Sequence, residues 1–135
     1  MSTRSAIIMA DGNGFRGIYC HFDGYVSGVG AMLLKHYTNP VKVAGLIALG
    51  DISFLEKKVA PSKRGHSYDT PHKGVTVAYM RDRQESGCEA RTGSSVKEVE
   101  SQIGHDGYVY VFDGENWWLW SDPKKLLKDA VENDS

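Results

Sequence analysis

An α+β fold built on a mainly antiparallel sheet of about five strands is what this sequence predicts. Three observations carry that expectation. "TRSAIIMADGNGFRGIYCHFD" and "YVYVFDGENWWLWS" each read as two strands around a tight turn, "GVTVAYMRDR" reads as a lone central strand, and the helical stretches between them never alternate with strands as a β-α-β unit requires. The remaining packing falls to a helical hairpin and one or two further helices.

In the first hairpin, β-branched and apolar residues lead to "DGNG", four residues suited to a turn. Along the second strand a period of two sends Ile18, Cys20 and Phe22 to one face, and Tyr19, His21 and Asp23 to the other. Val26, Val29, Met32, Leu33, Leu34, His36 and Tyr37 then recur at helical spacing, with Ser27 available as N-cap. A second helix, "PVKVAGLIAL", is expected to start on Asn39 and Pro40 and to stop at Gly50.

Residues 57–74 carry two prolines, two glycines and no apolar periodicity, so they form a long loop, and long loops in compact domains tend to be functional. In "GVTVAYMRDR" alternation places Val75, Val77, Tyr79 and Arg81 on one side, and Thr76, Ala78, Met80 and Asp82 on the other. Ser95 and Glu98 form a capping-box pattern before Val96, Val99 and Ile103, a short amphipathic helix ending at Gly104. In the tryptophan-rich hairpin, Trp117 and Leu119 point to the core. An outward Trp118 or Trp120 favours an oligomer contact or a stacking surface. Asp122 and Pro123 then start a tail helix with a narrow apolar stripe, so residues 121–135 are expected at the surface or fraying.

The 135 residues fit one domain, 1–135, and the 41% hydrophobic and 24% charged fractions exclude a largely disordered chain. A net charge of -1, from 16 basic and 17 acidic side chains, disfavours any partner held by bulk charge, nucleic acid included. The first apolar stretch, Ala6 to Ala10, is too short for a signal-peptide core or a membrane span, so a cytoplasmic protein without membrane attachment is expected. Cys20 and Cys88 lack CxxC spacing, and a disulfide is not expected in that compartment.

Tyr19, His21, Asp23 and Tyr25 form the first candidate site, projecting to one face about 7 Å apart per step. Histidine beside a carboxylate suits acid–base chemistry, and two aromatic plates with a donor and an acceptor suit recognition. An exposed sheet face whose polar residues merely alternate with core ones is the competing reading. Arg81 and Arg83, with Tyr79, form the second candidate. Arginine offers a planar fork matched to phosphate or carboxylate, against the simpler alternative of a salt-bridged strand end. Arg4, flanked by Thr3 and Ser5, adds a cation and hydroxyl donors.

His21, His36, His66, His72, His105, Cys20 and Cys88 show no paired ligand spacing, so no metal and no cofactor are expected. There is no GxSxG, and Gly24, Gly28 and Gly30 miss the dinucleotide fingerprint. Glycines at a strand-to-helix junction still leave backbone N–H groups open to an anion.

"STRSAI", "IYCHFDGYVSGVGAMLLKHY", "KVAGLIALGDIS" and "VAYMRDR" together resemble an uncharacterised family of small proteins of phages, prophages and plasmids. The resemblance covers most of residues 2–83, and members often have tryptophan where this chain has Phe22. It implies an accessory protein in the host cytoplasm, acting on host metabolism or defence. Aromatic plates at Tyr19, Tyr25 and Tyr79 with cations at Arg4, Arg81 and Arg83 then suggest non-catalytic binding of a small anionic or nucleotide-derived signalling ligand, by a homo-oligomer. The alternatives are a protein-binding inhibitor of a host factor, docking through the aromatic hairpin, and a small hydrolase using His21 and Asp23.

Overall fold

A computed structural model of the chain describes residues 3–104, 107–121 and 123–133. The first hairpin forms from β1 (Ser5–Asp11) and β2 (Gly14–Cys20), with Ala6 opposite Tyr19 and Ile7 opposite Ile18. A π-helical turn (Val26–Gly30) leads into α1 (Ala31–His36), and the residue flanking the turn is Tyr25 rather than the expected cap Ser27. In α2 (Pro40–Ala48), Asn39 Oδ1 accepts the Val41 N–H at 2.8 Å and proline takes the first position, as its fixed φ allows. The chain leaves this helix at Gly50, whose φ of +80° and closeness to the Cys88 carbonyl admit no side chain.

Next come β3 (Ile52–Phe54), β4 (Val77–Ala78), α3 (Tyr79–Arg83) and β5 (Arg91–Gly93). The chain continues with α4 (Val96–Ile103), β6 (Tyr108–Phe112), β7 (Trp117–Leu119), β8 (Lys125–Leu126) and α5 (Leu127–Asn133). Ser95 caps α4 as expected, its Oγ accepting the Glu98 N–H at 3.1 Å, while the Glu98 carboxylate accepts from the Ser94 N–H and hydroxyl where a capping box would have it accept the Ser95 N–H. The expected strand through residue 83 does not form beyond Ala78. The Asp82 carboxylate turns back to accept the Ala78 N–H at 2.8 Å, and that bond starts a helical turn where alternation suggested extension.

The α+β class stands, while the sheet is a mixed, open one of eight strands where about five, mainly antiparallel, were expected. Its order is β4-β3-β2-β1-β6-β7-β8, and β5 joins the N-terminal half of β2 on the edge whose far end pairs with β3. Two pairings are parallel, β1 with β6 and β2 with β3. The first hairpin thereby becomes the middle of the sheet.

Helices cover both faces at this middle. Ile7, Met9, Ile18 and Cys20 pack with Tyr110, Phe112 and the apolar sides of α1, α2 and α5. On the opposite face Ala6 and Ile8 pack with Val109, Val111 and with Val96 and Val99 of α4. A strand buried on both faces reads as a continuous apolar run, which accounts for "AIIM" in β1. The tail helix is a correction too. Leu127 is fully buried, and its Cδ1 comes within 3.2 Å of where a side chain at Gly30 would begin, so α5 is docked rather than fraying. The expected cap Asp122 lies outside the described residues. Among the described residues no helix is long and apolar enough to cross a membrane.

Candidate functional site

The pairing of Ala6 with Tyr19 and of Cys20 with Ile52 puts Tyr19, His21, Asp51 and Ser53 on the face that α4 covers further along. Arg4, which precedes β1, reaches the same place and stands beside the Tyr19 hydroxyl. Tyr19 Oη lies 2.6 Å from His21 Nδ1, a hydrogen bond whose direction follows the imidazole tautomer. Partial burial holds the Tyr19 phenol above its ordinary value, with the Arg4 cation opposing.

Asp51, which sequence reasoning missed, anchors the group. Its carboxylate accepts the Tyr19 N–H at 2.9 Å and an ion pair from Arg91, and its carbonyl accepts the Tyr79 N–H at 3.2 Å. Tyr79 is half-buried, its phenol raised by burial and its ring 6.1 Å from that of Tyr68, over which Arg83 stacks at 4.5 Å. Arg4, Tyr19, His21 and Tyr79 therefore do come together. "GD" at 50–51, a helix stop followed by a carboxylate before a strand, was the available signal for Asp51.

Other candidates go elsewhere. Ser5 is fully buried on the opposite face, next to the Cys20 thiol, so its hydroxyl is no ligand donor. Phe22, expected in the core, is exposed because β2 ends at Cys20 and the chain turns away. Asp23 adopts φ +58° and accepts from the Tyr25 hydroxyl at 3.2 Å, both residues exposed. The following Gly24 threads so close to β1 that a Cβ would sit 2.7 Å from the Arg4 carbonyl oxygen. The His21–Asp23 dyad is consequently not formed.

Arg81 is also withdrawn from any ligand. Its guanidinium donates to Asp82 Oδ1 at 2.9 Å, to Asp82 Oδ2 at 3.0 Å, to the Val59 carbonyl at 2.5 Å and to the Thr76 carbonyl at 2.7 Å. His66 Nε2 lies 3.2 Å from Asp82 Oδ2, and His66 Nδ1 accepts the His72 N–H at 2.9 Å, so the buried imidazole donates to the carboxylate from Nε2. Burial would raise the Asp82 carboxyl, but the bonds from Arg81 and the Ala78 N–H, with the Arg81 charge, hold it below its ordinary value. This bracket ties the long loop to α3. Arg83 pairs at 3.5 Å with Glu85 at the surface.

Arg4 faces a cleft that sequence reasoning did not assemble. A cavity of about 390 Å³ is walled by Thr3, Arg4, Tyr108, Val109, Trp120 and Ser121. Trp120 also walls a second, more apolar cavity of about 350 Å³ with Phe15, Val111, Trp118 and Lys124. The Lys124 ammonium sits 4.4 Å from the centre of the Trp120 ring. The alternation expected in this hairpin holds: Trp117 is buried and donates to the Tyr37 carbonyl at 2.8 Å, while Trp118 and Trp120 are half-exposed on the other face. Trp118 donates to Asp113 at 2.9 Å, and Asp113 also caps its own turn by accepting from the Glu115 and Asn116 N–H groups.

Nucleophilic chemistry finds little support in this arrangement. Burial pushes the Cys20 thiol up to about 12, and Cys88 is raised by burial as well. Among the described residues no three His, Cys, Asp or Glu side chains gather into a metal-holding group, and His105 lies outside them. His66 and His72 meet edge-on, their rings 5.4 Å apart. No protein-family model matches the chain, and neither a curated protein nor a solved structure is significantly similar to it.

Proposed function

We propose that the protein binds, without turning over, a small anionic ligand carrying a flat ring, of the nucleotide-derived class, in the cleft between Arg4 and Trp120. One observation supports this above the rest: the exposed Arg4 and the half-exposed Trp120 both line one cavity of about 390 Å³. Arginine supplies a bidentate match to phosphate, and indole supplies a stacking plate. Tyr19 and His21 extend the polar rim beside Arg4. With the resemblance to phage and plasmid proteins, the ligand becomes a host signalling nucleotide, sequestered by a homo-oligomer to blunt host defence.

Calorimetry against a panel of nucleotides and cyclic signalling nucleotides tests the reading. Binding by the wild type is expected, with a loss of about 10- to 100-fold in Arg4→Ala, the worth of a charge-assisted hydrogen bond. No binding anywhere in the panel, or an unaffected variant, sinks it. Recovery of unchanged ligand after long incubation separates binding from hydrolysis. Light scattering reads the oligomer. A second reading, docking of a host protein, is favoured by the apolar cavity at Phe15, Val111 and Trp118. It requires a stoichiometric protein partner that Trp118→Ala releases.

A further inference from the structure

Far from Trp120 in the sheet order, the strand-like margins of the long loop make a further cavity, about 330 Å³, lined by Glu56, Lys57, Lys58, Lys73 and Gly74. Its walls are held in place by backbone bonds. Lys58 N–H donates to the Gly74 carbonyl at 3.1 Å, and the Lys58 carbonyl accepts the Thr76 N–H at 2.9 Å. Gly74 takes a φ of +77°, and the Lys57 stem lies across it, 3.2 Å from where a Cβ would stand. Among the described residues no ion pair engages Lys57, Lys58 or Lys73.

The helical hairpin adds to the same field. Lys42 Nζ donates to the His36 carbonyl at 2.8 Å and to the Lys57 carbonyl at 2.7 Å, which ties α2 to the cavity wall. Its charge, with those of Lys35 and Lys57, acts with partial burial to hold the His36 imidazole below its ordinary value. A chain of net charge -1 thus places three lysines in the wall of one small concavity, with Lys42 bonded to that wall. Glu56 is the one acidic group in that wall.

We propose that this cavity binds a small, multiply charged phosphate anion of the di- or triphosphate class, at a site separate from the Trp120 cleft. The ammoniums of Lys57, Lys58 and Lys73 supply donors, and Lys42 supplies charge while two of its three protons go to carbonyls. A duplex or a membrane would need an extended basic face, whereas this one is confined to a concavity with a carboxylate in its wall.

The probe is inorganic tripolyphosphate, titrated calorimetrically at about 50 mM and about 200 mM salt, the range over which phosphate contacts lose affinity steeply. One-to-one binding that weakens with salt is expected. Lys57→Gln and Lys73→Gln should each weaken it about tenfold or more, Glu56→Gln should tighten it, and Lys97→Gln, at an exposed lysine of α4, should leave it unchanged. These substitutions are at the surface, and unchanged circular dichroism confirms the fold. No binding by the wild type at the lower salt, or unaltered binding in both lysine variants, overturns the proposal. So does an equal loss of binding in Lys97→Gln, or a preference of the same lysines for duplex DNA or anionic vesicles.

Discussion

Arg81 and Arg4 make an instructive pair, since both were candidates for holding an anion and the structure treats them in opposite ways. Arg81 donates four hydrogen bonds to its own chain, two to the Asp82 carboxylate and two to loop carbonyls, so four of its five N–H groups are already committed. Arg4 is exposed, stands beside the Tyr19 hydroxyl, and shares a cavity wall with an indole. The first arginine holds the long loop in shape. The second is an exposed residue that lines the cleft. An arginine's role therefore follows from where its five N–H groups are already committed rather than from its neighbours in sequence.

The largest expected effect breaks the Arg81 side of the comparison. Arg81→Ala strands a buried carboxylate and should destabilise the protein by about 3–5 kcal/mol, read as a fall in Tm or in urea midpoint. Arg4→Ala should move stability by about 0.5 kcal/mol at most, as surface changes do. Equal losses in the two variants would erase the distinction.

A smaller effect follows from the pH response of the same bracket. The Asp82 carboxyl lies lower in the folded protein than its ordinary 3.8, so its contribution is fully present above that value and is lost as pH falls through the folded pKa. Stability should therefore drop in acid below about pH 4, and Asp82→Asn should flatten that part of the profile while lowering stability at neutral pH. An acid limb of undiminished steepness in the variant would show that other carboxylates dominate.

The smallest expected effect concerns the thiols. Cys88 is partly exposed and should react with a thiol reagent in the folded protein, whereas Cys20, buried and pushed up to about 12, should react only on unfolding. Labelling of both at equal rates under native conditions would mean that β2 opens readily, and with it the floor beneath Tyr19.

What was legible in the sequence was local. The Asn39–Pro40 start of α2, the Ser95 cap of α4 and the alternation of Trp117 with Trp118 each depend on residues a few positions apart, and each formed. The parallel pairing of β1 with β6 joins residues 5–9 to 108–112, and no short-range pattern records it. Strands β3, β5 and β8, two or three residues long, are strands only because a neighbour pairs with them. "VAYMRDR" keeps a strand's period, yet Asp82 and Arg81 find their partners by turning helical. For the site, strand alternation placed Tyr19 and His21 on one face, while Tyr79 arrives on a helical turn and Arg4 from the approach to β1. Asp51, Tyr108 and Trp120 were not legible, because their places depend on which strands lie side by side.

The central claim is that a ligand enters between Arg4 and Trp120, and the tryptophan indole N–H resonances test it most directly. In a ¹⁵N-labelled sample titrated with the tightest ligand from the nucleotide panel, the Trp120 signal should shift progressively. The Trp117 signal, buried and bonded to the Tyr37 carbonyl, should stay in place. A titration that saturates with Trp120 unmoved would contradict the account.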